Sequence, residues 1–195
     1  MNRRQCLVLA ATLTAGCGLT RPAITDLSEL GADDVLIVGQ VKLTPPMDEK
    51  EQGDAWNVIV PGGYKNKVRL LTDEQWREVA QPLTMEDYRD NLHFDLGATS
   101  FASMPRKSFY ILLGAILMDD RNPQDAAYLP GGYKVDVRDS DKAVYIGTLH
   151  YHRNEFFKIT RIQVEDDYAR AAADFRKQFG AGAKLRKSLA RKTSS

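Results

Sequence analysis

The sequence has only two cysteines, Cys6 and Cys17, and both lie within its first seventeen residues. The body of the chain therefore has no thiol, which excludes an internal disulfide, a thiolate metal site and a cysteine nucleophile. Lack of disulfides does not exclude an oxidising compartment, because 195 residues can bury a core large enough to stand without them. Charge of one sign is missing too: the formal net value is +1, and it becomes −1 once residues 1–16, with Arg3 and Arg4, are set aside. That balance argues against a chain built mainly to neutralise nucleic-acid phosphates. Neither of the two most apolar runs reaches the roughly 20 residues of a membrane-spanning helix. Nucleophile-elbow, P-loop and dinucleotide fingerprints are absent, and the sequence gives no positive case for an enzyme or a cofactor.

What is present is an ordinary globular balance, 43% hydrophobic and 27% charged, enough for one domain with a packed core. The N-terminus differs from the rest. Arg3 and Arg4 supply a positive start, Cys6-Leu7-Val8-Leu9-Ala10-Ala11-Thr12-Leu13 a short apolar stretch, and Thr14-Ala15-Gly16-Cys17 a run of small residues. This is the pattern of a cleavable export signal. The paired arginines also suit a twin-arginine signal, although two arginines serve equally as an ordinary positive end, so the export route stays open.

Thr14-Ala15-Gly16-Cys17 resembles the lipobox of bacterial envelope lipoproteins, with Thr14 where that family has Leu and with Leu13 one step earlier. The resemblance implies cleavage before Cys17 and lipidation of its thiol. It implies anchoring of the mature chain to the envelope, facing the periplasm, by two or three acyl chains. Gly18 in place of an aspartate leans towards the outer membrane rather than the inner. The expected organisation is a signal peptide over 1–16, the lipidated cysteine and tether over 17–32, a domain over 33–180 and a basic tail over 181–195.

Along the mature chain, Val35-Leu36-Ile37-Val38-Gly39-Gln40-Val41-Lys42-Leu43 reads as a strand closed by Pro45 and Pro46. Further strands are expected at 56–60 and 67–71. A short internal helix begins at Thr72, whose hydroxyl can cap it with Gln75 reciprocating, and fades near Pro82. A second helical turn is expected near 84–87. Residues 108–118 form the most apolar run, a strand buried on both faces with Gly114 as a candidate bulge. A hairpin joins 143–151 to 156–164 through a turn at Arg153-Asn154-Glu155. A helix follows over 167–178, with Tyr168, Ala171, Ala172, Phe175 and Phe179 on one stripe. The fold class expected is mainly β: a β-sandwich, immunoglobulin-like or transthyretin-like, with a short internal helix and a C-terminal helix.

Pro61-Gly62-Gly63-Tyr64-Lys65 recurs letter for letter as Pro130-Gly131-Gly132-Tyr133-Lys134. Pro and Gly suit the central positions of tight turns, so both copies are expected to connect strands. With Val144-Tyr145-Ile146-Gly147-Thr148-Leu149, the second copy loosely resembles a pattern in uncharacterised β-sandwich lipoproteins of the envelope, which implies a fold but no chemistry.

His150 and His152 alternate on a strand and so share a face. With His93, Glu155 or an aspartate they could chelate zinc or copper, although no motif fixes the rest of such a site. Asp119, Asp120 and Asp125, and Asp136, Asp139 and Asp141, lack the spacing of a calcium loop and read as solvated. The residues after Asp174 carry basic side chains and no acid, which suits a solvated end or contact with anionic groups. The function expected is a lipid-anchored, non-catalytic binding or assembly module of the bacterial envelope. Its partners would be the membrane, through the N-terminal lipid, and an envelope protein, with no nucleic acid. The competing expectation is a periplasmic metal-binding protein using His150 and His152.

Overall fold

The computed structural model describes residues 24–48, 51, 66–79, 81, 91–117 and 126–193. Outside them lie the lipobox with Cys17, the expected strand at 56–60, the first Pro-Gly-Gly-Tyr-Lys copy, the helical turn at 84–87 and the acidic loop from Asp119 to Asp125.

The chain is mainly β, as expected. The strands are β1 (Asp34–Thr44), β2 (Lys67–Asp73), β3 (Leu92–Asp95), β4 (Ser100–Pro105), β5 (Phe109–Leu117), β6 (Ala126–Val135), β7 (Ala143–Arg153), β8 (Ile159–Glu165), β9 (Arg186–Lys187) and β10 (Arg191–Lys192), with helix α1 at Tyr168–Phe179. Among the described residues they form two five-stranded sheets. The first runs β4-β1-β7-β8, with β9 beside β8 on the same flank of β7, and the second runs β10-β6-β5-β2-β3. β1 and β7 pair in parallel, which needs a long crossover; the intervening chain supplies β4 of the first sheet and β2, β3, β5 and β6 of the second. Inward residues of both sheets, among them Val35, Ile37, Val68, Leu70, Ile111, Leu129, Leu149 and Tyr151, fill one core between them, the sandwich arrangement.

Burial along β1 shows what covers each face. Val35 through Val41 are all buried, after which exposure alternates at Lys42, Leu43 and Thr44. The first half is covered inside by the second sheet and outside by α1. Ala171 and Phe175 of the helix, with half-buried Tyr168 and Phe179, pack on Leu36, Val38, Ala143 and Tyr145. Phe101 meets Phe179 edge-on at 5.4 Å. The stripe expected along the helix is the one it buries. Tyr145 Oη accepts a hydrogen bond from the Asp167 N–H (2.9 Å) and so caps the helix from the sheet.

Five local expectations are corrected. The helix starting at Thr72 does not form over its described residues: Thr72 and Asp73 continue β2 opposite Ile111 and Tyr110, because pairing with the buried β5 outweighs a local capping signal. The second Pro-Gly-Gly-Tyr-Lys copy is not a turn. It lies inside β6, where the register with β5 slips opposite Ile111 and Leu113, and not at Gly114. Gly132 takes φ +89°, and a Cβ on Gly131 would collide with the carbonyls of Ile111 and Leu112. The bulge brings the Pro130 carbonyl to the buried Tyr151 hydroxyl, 3.2 Å away across the core.

The segment expected as a basic tail is instead part of the fold. β9 pairs with β7 and β10 with β6, so it spans both sheets, and Ala190 is buried. Nor is the loop carrying Asp136 and Asp141 merely solvated. Arg186 reaches both Asp141 oxygens at 2.7 and 2.6 Å and the Asp136 carbonyl at 2.7 Å, while Arg191 pairs with the Asp136 carboxylate. Burial alone would raise the Asp141 pKa, but the Arg186 guanidinium and the Arg138 N–H outweigh it and the net shift is downward. Arg186 and Arg191 of the basic segment thus pair with Asp141 and Asp136 of the acidic loop.

Candidate functional site

β7 changes phase at a bulge. Its partner on β1 moves from Val38 to Gln40 while β7 itself advances from Tyr145 to Thr148, so β7 carries one extra residue there. Gly147 supplies it at φ +99°. Before the bulge Tyr145 faces the helix; after it Leu149 and Tyr151 face the core, and Thr148, His150 and His152 face outward. Without the extra residue Leu149 and Tyr151 would take the outer face, since a one-residue slip inverts a strand.

The bulge thereby builds a polar lattice on the part of the outer face that α1 does not pack against. Three rows cross β1, β7 and β8: Gln40, Thr148 and Glu165; Lys42, His150 and Gln163; Thr44, His152 and Arg161. Hydrogen bonds within and between the rows knit them together. Thr148 Oγ1 donates to Gln40 Oε1 at 3.3 Å, and Gln40 Nε2 donates to the Gly97 carbonyl at 2.5 Å. His152 Nε2 meets Gln163 Oε1 at 3.2 Å.

His150 is the centre of the lattice. It is 7% exposed, although it sits on the outer face, because the His152 ring stacks on it with centroids 4.2 Å apart. Its Nδ1 lies 2.6 Å from Glu165 Oε1 and its Nε2 lies 2.7 Å from Thr44 Oγ1. The hydrogen bond to His150 holds the Glu165 carboxyl below the usual carboxylate range, so Glu165 is ionised near neutral pH and can only accept. Nδ1 therefore carries the proton, and in the neutral ring Nε2 accepts from the Thr44 hydroxyl. The result is a directed chain from Thr44 through His150 to Glu165.

Thr44 also borders a cleft of about 460 Å³ at the edge of β1, lined by Lys42, Leu43, Thr44, Pro46, Met47, Asn66, Leu96 and Gly97. The chain beyond Thr44 is pinned beside it. Arg153, at the end of β7, donates to the carbonyls of Pro45 and Pro46 at 3.0 and 2.7 Å, and its guanidinium grips both oxygens of Glu51. Phe157, at φ +58°, lies under that guanidinium at 4.7 Å.

Of the expected metal ligands the structure brings His150 and His152 together and leaves the others apart. His93 is on β3 of the second sheet, where burial, with Arg69 and Lys67 nearby, drives its pKa down to about 4. Glu155 lies exposed in the β7–β8 turn. Among the described residues no three His, Asp or Glu side chains converge as a metal set. Thr44, Gln40, Lys42, Gln163 and Glu165 belong to no chemical motif in the sequence. A signal for them exists: polar residues alternate with Val41 and Leu43 on β1, and with Ile162 and Val164 on β8, which marks one solvent-facing side of each strand.

The chain matches no protein-family model, and comparison with curated proteins and with solved structures returned no match.

Proposed function

We propose that this chain is a lipid-anchored binding or assembly module of the bacterial envelope, held through Cys17 at the outer membrane and facing the periplasm. The observation that carries the proposal is the N-terminal run itself: a positive start, a short apolar stretch, then Ala15-Gly16-Cys17. Two features of the folded part support a binding role. One is the polar lattice across β1, β7 and β8, which presents hydrogen-bonding groups and the exposed Lys42 and Arg161 to solvent. The other is a groove across β5 and β6 whose lining includes Trp76, Arg77, Tyr128, Phe157 and Lys158; its mix of aromatic and basic side chains suits an envelope protein partner. No described helix is long and apolar enough to cross a membrane, so in this reading attachment comes from the lipid.

The test is expression of the full-length chain in a Gram-negative host, with membrane fractionation and intact-mass analysis of wild type and Cys17→Ala. The expected wild type begins at an acylated Cys17 and sediments with outer membranes, while the variant stays uncut or is released. An unmodified wild type removes the proposal.

A further inference from the structure

The Thr44–His150–Glu165 chain has the connectivity that activates a hydroxyl as a nucleophile: an acid orients an imidazole, and the imidazole accepts from the hydroxyl. Three further observations fit that use. The imidazole is largely buried while Thr44 is exposed, so the base is shielded and the nucleophile accessible. Thr44 lines the cleft together with the apolar residues Leu43, Pro46, Met47 and Leu96. Lys42 and Asn66, residue types that can donate hydrogen bonds where negative charge develops on a carbonyl oxygen, also line that cleft.

We propose that Thr44 is the nucleophile of an acyl-transfer site, acting on carboxylic esters whose acyl chain enters this cleft against its apolar residues. Thr44 Oγ1 bonds to the acyl carbon as its proton passes to His150 Nε2. The imidazolium, its Nδ1–H still held by Glu165, gives that proton to the leaving alcohol oxygen as the carbon–oxygen bond breaks, and the acyl group stays on Thr44. Water then attacks the Thr44 ester, losing a proton to Nε2, which returns it to the Thr44 oxygen as free acid departs. Thr44 and His150 are catalytic residues in this scheme, and Glu165 is a positioning residue. The proposal goes beyond a binding role and is independent of the lipid on Cys17.

The experiment treats full-length protein with p-nitrophenyl butyrate and with a fluorophosphonate. It follows nitrophenolate release and locates any adduct by peptide mass spectrometry. The expected result is a butyryl or phosphonyl group on Thr44, with release falling about 100-fold or more in Thr44→Val and His150→Gln, the scale of losing a general base. Thr44→Ser, which keeps the hydroxyl, should retain activity and show that the site still folds. Glu165→Gln should lower the rate less and move the acid limb of the pH profile, a change that loss of packing alone would not cause. No adduct on Thr44 with either reagent, or a Thr44→Val rate equal to wild type, overturns the assignment whether or not Cys17 is acylated.

Discussion

Replacing Arg153 by Met tests how the chain beyond β1 is held in place beside the cleft. The Arg153 side chain is 3% exposed and that of Glu51 is 25% exposed. The guanidinium makes two charge-assisted bonds to Glu51 and two bonds to the carbonyls of Pro45 and Pro46. Removing one partner of a buried ion pair costs about 3–5 kcal/mol, because the other charge is left without compensation. Glu51 can recover some water, which lowers the expectation to about 2–4 kcal/mol for Arg153→Met. With a urea slope of about 2 kcal/mol per molar, the unfolding midpoint falls by about 1–2 M. Lys at this position keeps the charge but has no planar fork to serve the two carbonyls and the carboxylate together, so Arg153→Lys should recover less than half of the loss. The hydrogen bond from Arg153 is the main cause holding the Glu51 pKa below its ordinary 4.5. A depressed carboxylate contributes stability that is present above its unfolded value and is lost as pH falls through the folded value. That acid-side slope should be shallower in Arg153→Met. Urea melts followed by tryptophan fluorescence at several pH values measure both effects. A loss under about 0.5 kcal/mol, the range of an ordinary surface substitution, would refute the argument.

Gly147→Ala must hold φ near +99° and brings a Cβ to 2.8 Å from Val164 Cγ1. A loss of about 1–3 kcal/mol is expected in chemical denaturation, with chemical-shift changes centred on His150 and His152. His93, with its pKa lowered to about 4 from 6.5, stays neutral in the fold while the unfolded chain gains a proton. Its contribution is complete above pH 6.5 and is lost as pH falls towards 4, so His93→Gln should flatten the stability profile in that window. Arg186→Ala leaves Asp141, whose side chain is 5% exposed, without its ion pair. It should cost about 3 kcal/mol and raise amide exchange at Ser188 and Ala190, whose N–H groups bond to β7.

β1, β2, β5, the β7–β8 hairpin and the helix stripe were legible from their apolar runs and periodicity, whereas β3 and β4, short and only partly apolar, carried no such signal. Residues 111–116 are buried without a break, as the unalternating apolar run at 108–118 implied. The errors arose where local chemistry lost to pairing. Pro130-Gly131-Gly132 has turn residues, but they serve a bulge held against β5. Thr72 could cap a helix, but β5 offers a strand partner. The segment after Gly180 looked like a solvated end because its basic residues have no acidic neighbours in sequence; their partners, Asp136, Asp141 and Asp166, come from other elements. The site was half legible. His150 and His152 stood out as chemistry-bearing residues sharing a face, but Thr44 is 106 positions from His150, and only the parallel pairing of β1 with β7 brings them together.

Why that face stays bare follows from lengths. A helix of 12 residues spans roughly 18 Å at about 1.5 Å per residue, whereas an 11-residue strand spans roughly 36 Å at about 3.3 Å per residue. α1 can therefore cover only half of β1 and β7. An apolar surface beyond its reach would demand a partner or invite aggregation. This chain instead switches composition at the limit of helix cover, from Leu36, Val38 and Tyr145 to Gln40, Thr148 and His150, and the Gly147 bulge falls at the same level. Because those polar side chains satisfy one another, the face is stable in water without a partner. A ligand there must compete with bonds already made, so tight binding requires it to replace them in kind. The Thr44 hydroxyl is the exposed end of a chain that runs through the buried His150 to the ionised Glu165, which makes it the position where such an exchange can become a reaction.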